Sequence, residues 1–101
     1  MAWLLRRGEV LASVDVVGDP TSAHAPGGVS LTRSRVVHSF GSRGALDVAY
    51  LDSHLVVSAV HHLAPRRFGI RSRRAGFVLR AEPGAFERWS LRPGDQLELK
   101  Q

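Results

Sequence analysis

The feature that most constrains this chain is a pair of apolar runs, Leu46–Leu51 and residues 55–62, separated only by Asp52-Ser53-His54. Val48, Tyr50, Val56, Val57 and Val60 are β-branched or aromatic, which suits a pleated, packed surface. Asp47 and Ser58 are the exceptions inside runs that are otherwise apolar at nearly every position. An alternating strand needs cover on one face, whereas a continuous apolar run needs it on both. The pair therefore reads as strand, turn and strand in a closed barrel or beneath a helix.

Periodicity elsewhere adds strand after strand. Residues 10–17 alternate, with Val10, Ala12, Val14 and Val16 on one face and Leu11, Ser13 and Asp15 on the other. Trp3-Leu4-Leu5 and a turn at Arg7-Gly8 predict a short partner strand and a hairpin. Residues 18–28 hold two prolines and three glycines and read as a loop. Short strands are expected at 29–32, 36–40, 76–79 and 96–100. Pro83-Gly84 opens the one good helical candidate, 85–90, with Phe86 and Trp89 on one face and Glu87 and Arg88 outward. Pro93-Gly94 predicts a type II turn. The expected fold is mostly β, a small closed or partly open barrel of roughly six to eight strands with one short helix near the C-terminus. With 101 residues, it forms a single domain over 1–101.

Composition supports a core and narrows the chemistry. Hydrophobic residues make up 44% of the chain and charged residues 23%, an ordinary globular balance. No cysteine is present, which excludes disulfides and thiolate metal sites. The start, Met1-Ala2-Trp3-Leu4-Leu5-Arg6-Arg7, has too short an apolar run for a signal peptide. No segment approaches the ~20 apolar residues of a membrane span, so the expectation is a cytoplasmic protein with no membrane partner. Thirteen of the fourteen basic side chains are arginine, and the formal net charge is +5. Such an excess favours anionic partners or is simply a solvated, arginine-biased surface.

Two stretches carry a family resemblance. The first is Phe40-Gly41-Ser42-Arg43-Gly44-Ala45-Leu46-Asp47-Val48-Ala49-Tyr50-Leu51-Asp52. The second is Gly84-Ala85-Phe86-Glu87-Arg88-Trp89-Ser90-Leu91-Arg92-Pro93-Gly94-Asp95-Gln96-Leu97-Glu98-Leu99. In order and spacing the chain resembles, from about Leu5 onward, the uncharacterised family called domain of unknown function 192. Ser42 stands where that family usually has methionine, and Ala45 where it often has proline. Its arginine-glycine-leucine segment is missing or replaced here by the 18–28 loop. The resemblance implies a fold and carries no activity, cofactor or partner with it.

Three clusters invite chemistry. His38, Arg43 and Asp47 would converge if the 36–40 and 46–51 strands were neighbours, giving a carboxylate-oriented imidazole with an anion clamp. The structural alternative is that Asp47, costly to bury alone, is satisfied by Arg43 or by loop amides. Adjacent His61 and His62 point to opposite faces of a strand, so they do not share a metal ion, and no metal or cofactor is expected. Arg66, Arg67, Arg71, Arg73 and Arg74, with Phe68 among them, would suit phosphates and a stacked base, or form a solvated loop.

No serine lies in a nucleophile-elbow pattern, and no glycine-rich segment makes a phosphate cradle. The pattern favours a small non-enzymatic binding module for a small anionic ligand or a protein partner, using His38, Arg43 and Asp47. One alternative is a nucleic-acid-binding domain using the 66–74 arginines. Another is a small hydrolase centred on His38 and Asp47. Ligand identity and oligomeric state are not encoded in any readable motif.

Overall fold

A computed structural model describes residues 2–17, 28–33, 45–63 and 76–101. They form β1 (Ala2–Arg6), β2 (Glu9–Val17), β3 (Ser30–Thr32), β4 (Leu46–Leu51), β5 (Val57–Leu63), β6 (Phe77–Ala81), α1 (Ala85–Arg88) and β7 (Leu97–Lys100). The expected strand at 36–40 lies outside the described residues.

The seven strands make one sheet in the order β5-β4-β6-β3-β2-β1-β7. All neighbours are antiparallel except β2 and β3. The sheet curls until its two ends touch. Val56 bridges Gln96, the Val57 amide donates to Asp95 O at 2.9 Å, and the Leu97 amide donates to Leu55 O at 3.0 Å. The result is a curled half-barrel with a short helix near its C-terminus, as the apolar runs predict.

Local chemistry sets each corner. The β1–β2 hairpin closes on Arg7 (φ 53°) and Gly8 (φ 79°), two positive φ values in a two-residue loop. That geometry matches the right-handed twist of the paired strands. The Pro93-Gly94 turn is closed by the Asp95 amide donating to Arg92 O at 3.1 Å, with Gly94 at φ 95° as a type II turn requires. Helix α1 ends in a reciprocal pair of bonds, Ser90 N to Glu87 O and Leu91 N to Phe86 O, with Ser90 left-handed at φ 51°. This is a Schellman cap, and its apolar pair, Leu91 and Phe86, is buried.

Inside the curl, Leu4, Leu31, Leu51, Leu79 and Leu97 make the centre of the core, and α1 adds Ala85 and Phe86. A second apolar cluster of Val48, Tyr50, Leu63 and Val78 lies on the opposite face of β4, β5 and β6. Both faces of β4 are therefore covered, which explains its nearly unbroken apolar sequence.

One expectation fails. Val10 does not share the face of Val14: it is 54% exposed, while Val14 is buried. Between Leu4–Ala12 and Leu5–Val10 the register shifts, leaving Leu11 as the extra residue of a β-bulge. The bulge breaks the alternation, so Val10 leaves the face of Ala12 and Val14.

Candidate functional site

Asp47 is the only buried carboxylate among the described residues. Alternation along β4 turns Asp47, Ala49 and Leu51 into the curl and Val48 and Tyr50 outward, which is why the two sets fall in separate apolar clusters. Asp47 Oδ2 accepts from the Gly84 amide at 3.0 Å and the Phe86 amide at 3.2 Å. Its Oδ1 lies 3.0 Å from His62 Nδ1, its cross-strand partner on β5. The N-cap of α1 is Gly84, which has no side chain, so the acceptor that caps this helix comes from a strand. Hydrogen bonds to a charged group contribute roughly 1.5–3 kcal/mol each. Asp47 thus joins β4, β5 and the start of α1.

This arrangement satisfies Asp47 through loop amides, the structural alternative that the sequence leaves open. The histidine beside it is His62. His38 and Arg43 lie outside the described residues, so the predicted trio is represented here by Asp47 alone. With Nδ1–H donating to Asp47, a neutral His62 holds its Nε2 lone pair outward, and the side chain is 62% exposed. The neighbouring amides of Gly84 and Phe86 already serve Asp47, so they are not free to stabilise an oxyanion. His61 turns to the other face, where its ring meets Tyr50 edge-on at 5.7 Å, as expected for adjacent strand residues.

Other carboxylates also hold the fold. Asp95 Oδ2 accepts from the Arg6 guanidinium and from the Arg92 amide, both at 3.0 Å. Arg6 also donates to Trp89 O at 2.6 Å, tying β1 to the end of α1. Burial pushes the Asp95 carboxyl up, but the Arg92 amide, the Arg6 guanidinium and the charge of Arg7 together outweigh it and hold the group below its usual value. Asp52 Oδ1 accepts from the His54 amide at 2.8 Å and the Val56 amide at 3.0 Å, closing the β4–β5 turn. The Val56 amide is the main reason its carboxyl also sits low. Glu82 pairs with Arg88 at 2.7 Å on the surface.

The outer face of β3, β6 and β4 is different. Register places Ser30, Arg80 and Val48 in one rung and Thr32, Val78 and Tyr50 in the next. Ser30, Thr32 and Tyr50 are each 1% exposed, and Arg80 is 8% exposed. Among the described residues, Ser30 Oγ, Thr32 Oγ1 and Tyr50 Oη have no hydrogen-bond partner. A stranded buried hydroxyl costs roughly 1–3 kcal/mol. Burial pushes the Tyr50 phenol up and the Arg80 guanidinium down, both marks of poor solvation. Nothing in single-strand periodicity signals this face, because its members meet only through the β3–β6–β4 pairing.

A separate open crevice of about 410 Å³ lies between β2 and α1, lined by Ser13, Asp15, Glu82, Arg88 and Trp89 among others. The arginine-rich segment, with Arg66, Arg67, Phe68, Arg71, Arg73 and Arg74, lies outside the described residues. Among the described residues, no helix is long and apolar enough to cross a membrane.

No family model and no curated protein matches the chain. Among solved structures, the fold is similar to the crystal structure of a "putative transcription regulator" from Sinorhizobium meliloti 1021. The two share a TM-score of 0.75 and 21% sequence identity, over 97% of this chain and 91% of that one. At that identity the likeness speaks for the fold alone.

Proposed function

We propose that this half-barrel is a non-enzymatic binding module for a small anionic ligand. The observation that carries the reading is where its carboxylates go. Of nine acidic residues, Asp47, Asp52, Asp95 and Glu82 are committed to a helix cap, two turns and a surface pair. Against them stand fourteen arginine and lysine residues and a net charge of +5. A positive excess whose counter-charges are partly consumed by the fold attracts anions from solution. Asp47, the residue best placed for acid–base work in the sequence, is held as a structural acceptor, which argues for binding over hydrolysis.

A second reading is favoured by two specific observations. Five arginines fall within residues 66–74, and the similar structure from Sinorhizobium meliloti carries the name of a putative transcription regulator. Nucleic acid would then be the anion, with Phe68 stacking on a base. The resemblance to domain of unknown function 192, resting on residues 40–52 and 84–99, is kept as a proposal about ancestry.

Amide-resolved NMR titration separates these readings. Inorganic phosphate and a short mixed-sequence RNA are added in turn at low and moderate salt. Saturable shifts with phosphate support the small-anion module. Shifts with RNA only, weakening steeply with salt as counterions are released, favour the nucleic-acid reading. No saturable shift with either contradicts both.

A further inference from the structure

Strand β2 is paired along most of its length on one side and only near its end on the other. Residues 9–14 run beside β1, whereas β3 joins at Asp15, Val16 and Val17. The Asp15 amide donates to Val29 O at 2.9 Å, so the backbone groups of Asp15 point away from β1. Backbone direction alternates along a strand, and no bulge lies between Ser13 and Asp15. The N–H and C=O of Ser13 therefore point the same way, ahead of the first residue of β3. No backbone bond reaches them from that side among the described residues. What opens there is the crevice of about 410 Å³ between β2 and α1.

A strand edge that faces a crevice suits an extended peptide, whose main chain continues the ladder while the walls select its side chains. Asp15 and Val29 line one side, and Glu82, Arg88 and Trp89 the other. Glu82 and Arg88 neutralise each other across 2.7 Å. Asp15 is exposed and has no ion pair among the described residues, which leaves the crevice with one uncompensated carboxylate in a chain of net charge +5. A basic side chain complements that charge, and an acidic one is repelled by it. The half-buried Trp89 ring, packed on Phe86 at 5.7 Å, offers apolar surface to the stem of a long basic side chain. We propose that the crevice takes a short extended peptide segment carrying a basic side chain, added as a strand to the edge of β2 at Ser13. The inference goes beyond the anion-binding reading and does not depend on it.

The test titrates the full chain with capped pentapeptides of threonine and valine around one central lysine or one central glutamate, followed by amide-resolved NMR at constant ionic strength. The lysine peptide is expected to give saturable shifts at residues 11–15, 28–29 and 82–89. The glutamate peptide is expected to bind about tenfold more weakly. Two further lysine peptides carry N-methyl groups on alternate amides, one on the odd set and one on the even. Alternate amides face opposite edges of a strand, so one of these two is expected to bind about tenfold more weakly than the other, the loss of a main-chain hydrogen bond. Asp15→Asn is expected to abolish the preference for lysine over glutamate and to leave the melting temperature unchanged. Equal affinity of the two methylated peptides would overturn strand addition. A lysine preference that survives Asp15→Asn would overturn the charge selection. No saturable shift in the crevice with any of the peptides would overturn the site itself.

Discussion

The two faces of β4 handle buried polarity in opposite ways. On the inner face, Asp47 is surrounded by donors: two α1 amides and the His62 ring take up both of its oxygens. On the outer face, in the rungs of Val48 and Tyr50, Tyr50 Oη and its neighbours Thr32 Oγ1 and Ser30 Oγ find no partner among the described residues. A polar group that is fully satisfied is part of how the fold holds together. A polar group that is buried and left without a partner weakens the fold and gains from a ligand able to satisfy it. The inner face therefore holds the fold together, while the outer face carries a local cost in stability.

Substitutions sharpen that contrast, and the largest effect belongs to the inner face. Asp47→Ala removes the acceptor for Gly84 and Phe86 and the partner of His62, and is expected to cost about 3–4 kcal/mol by chemical denaturation. A loss below about 1 kcal/mol would mean that Asp47 is not what anchors α1. The outer face should respond with the opposite sign. Thr32→Val is expected to raise stability by about 1 kcal/mol in anion-free buffer, since it deletes a stranded hydroxyl and keeps a β-branched shape. A comparable loss would show that the hydroxyl is bonded.

Smaller effects follow from the turns and from titration. Ser90→Gly relieves a left-handed residue at the end of α1 and should add about 0.5–1 kcal/mol, read from the denaturation midpoint. Asp52 and Asp95 both have depressed pKa values in the folded protein. Their contribution is therefore complete above about pH 4 and is lost as pH falls through the folded values. Asp95→Asn should flatten the acid limb of a stability–pH curve, and an unchanged limb would remove Asp95 from the account. Tyr50 is the sole tyrosine, so ultraviolet absorbance follows it directly. Its phenol should titrate above the usual value of about 10, with stability falling as pH rises past that point, because the folded state keeps a proton that the unfolded chain releases.

Much of this fold is legible in the sequence, and the limits have physical causes. The apolar run Leu46–Leu51 gives β4 with its observed ends, because covering on both faces leaves a continuous signal. Arg7-Gly8, Phe86 with Trp89, and Pro93-Gly94 act where local chemistry decides the outcome. What local pattern misses is register. Leu55 adopts φ 64° and the β4–β5 ladder shifts between Tyr50 and Leu51, so counting across Asp52-Ser53-His54 does not bring His62 opposite Asp47. The same reasoning applies to Val10, displaced by the bulge at Leu11. The outer polar face is harder still. Ser30, Thr32, Tyr50 and Arg80 come from three strands that meet only once β6 lies between β3 and β4.

The measurement that tests the contrast most directly is the stability of Tyr50→Phe against wild type in buffer free of phosphate and carboxylates. The change removes one oxygen and keeps the ring that packs against Val48, Leu63 and Val78. The account predicts a gain of about 1 kcal/mol, because Oη is buried without a partner. A loss of similar size would contradict it, making the outer face as internally satisfied as the inner one.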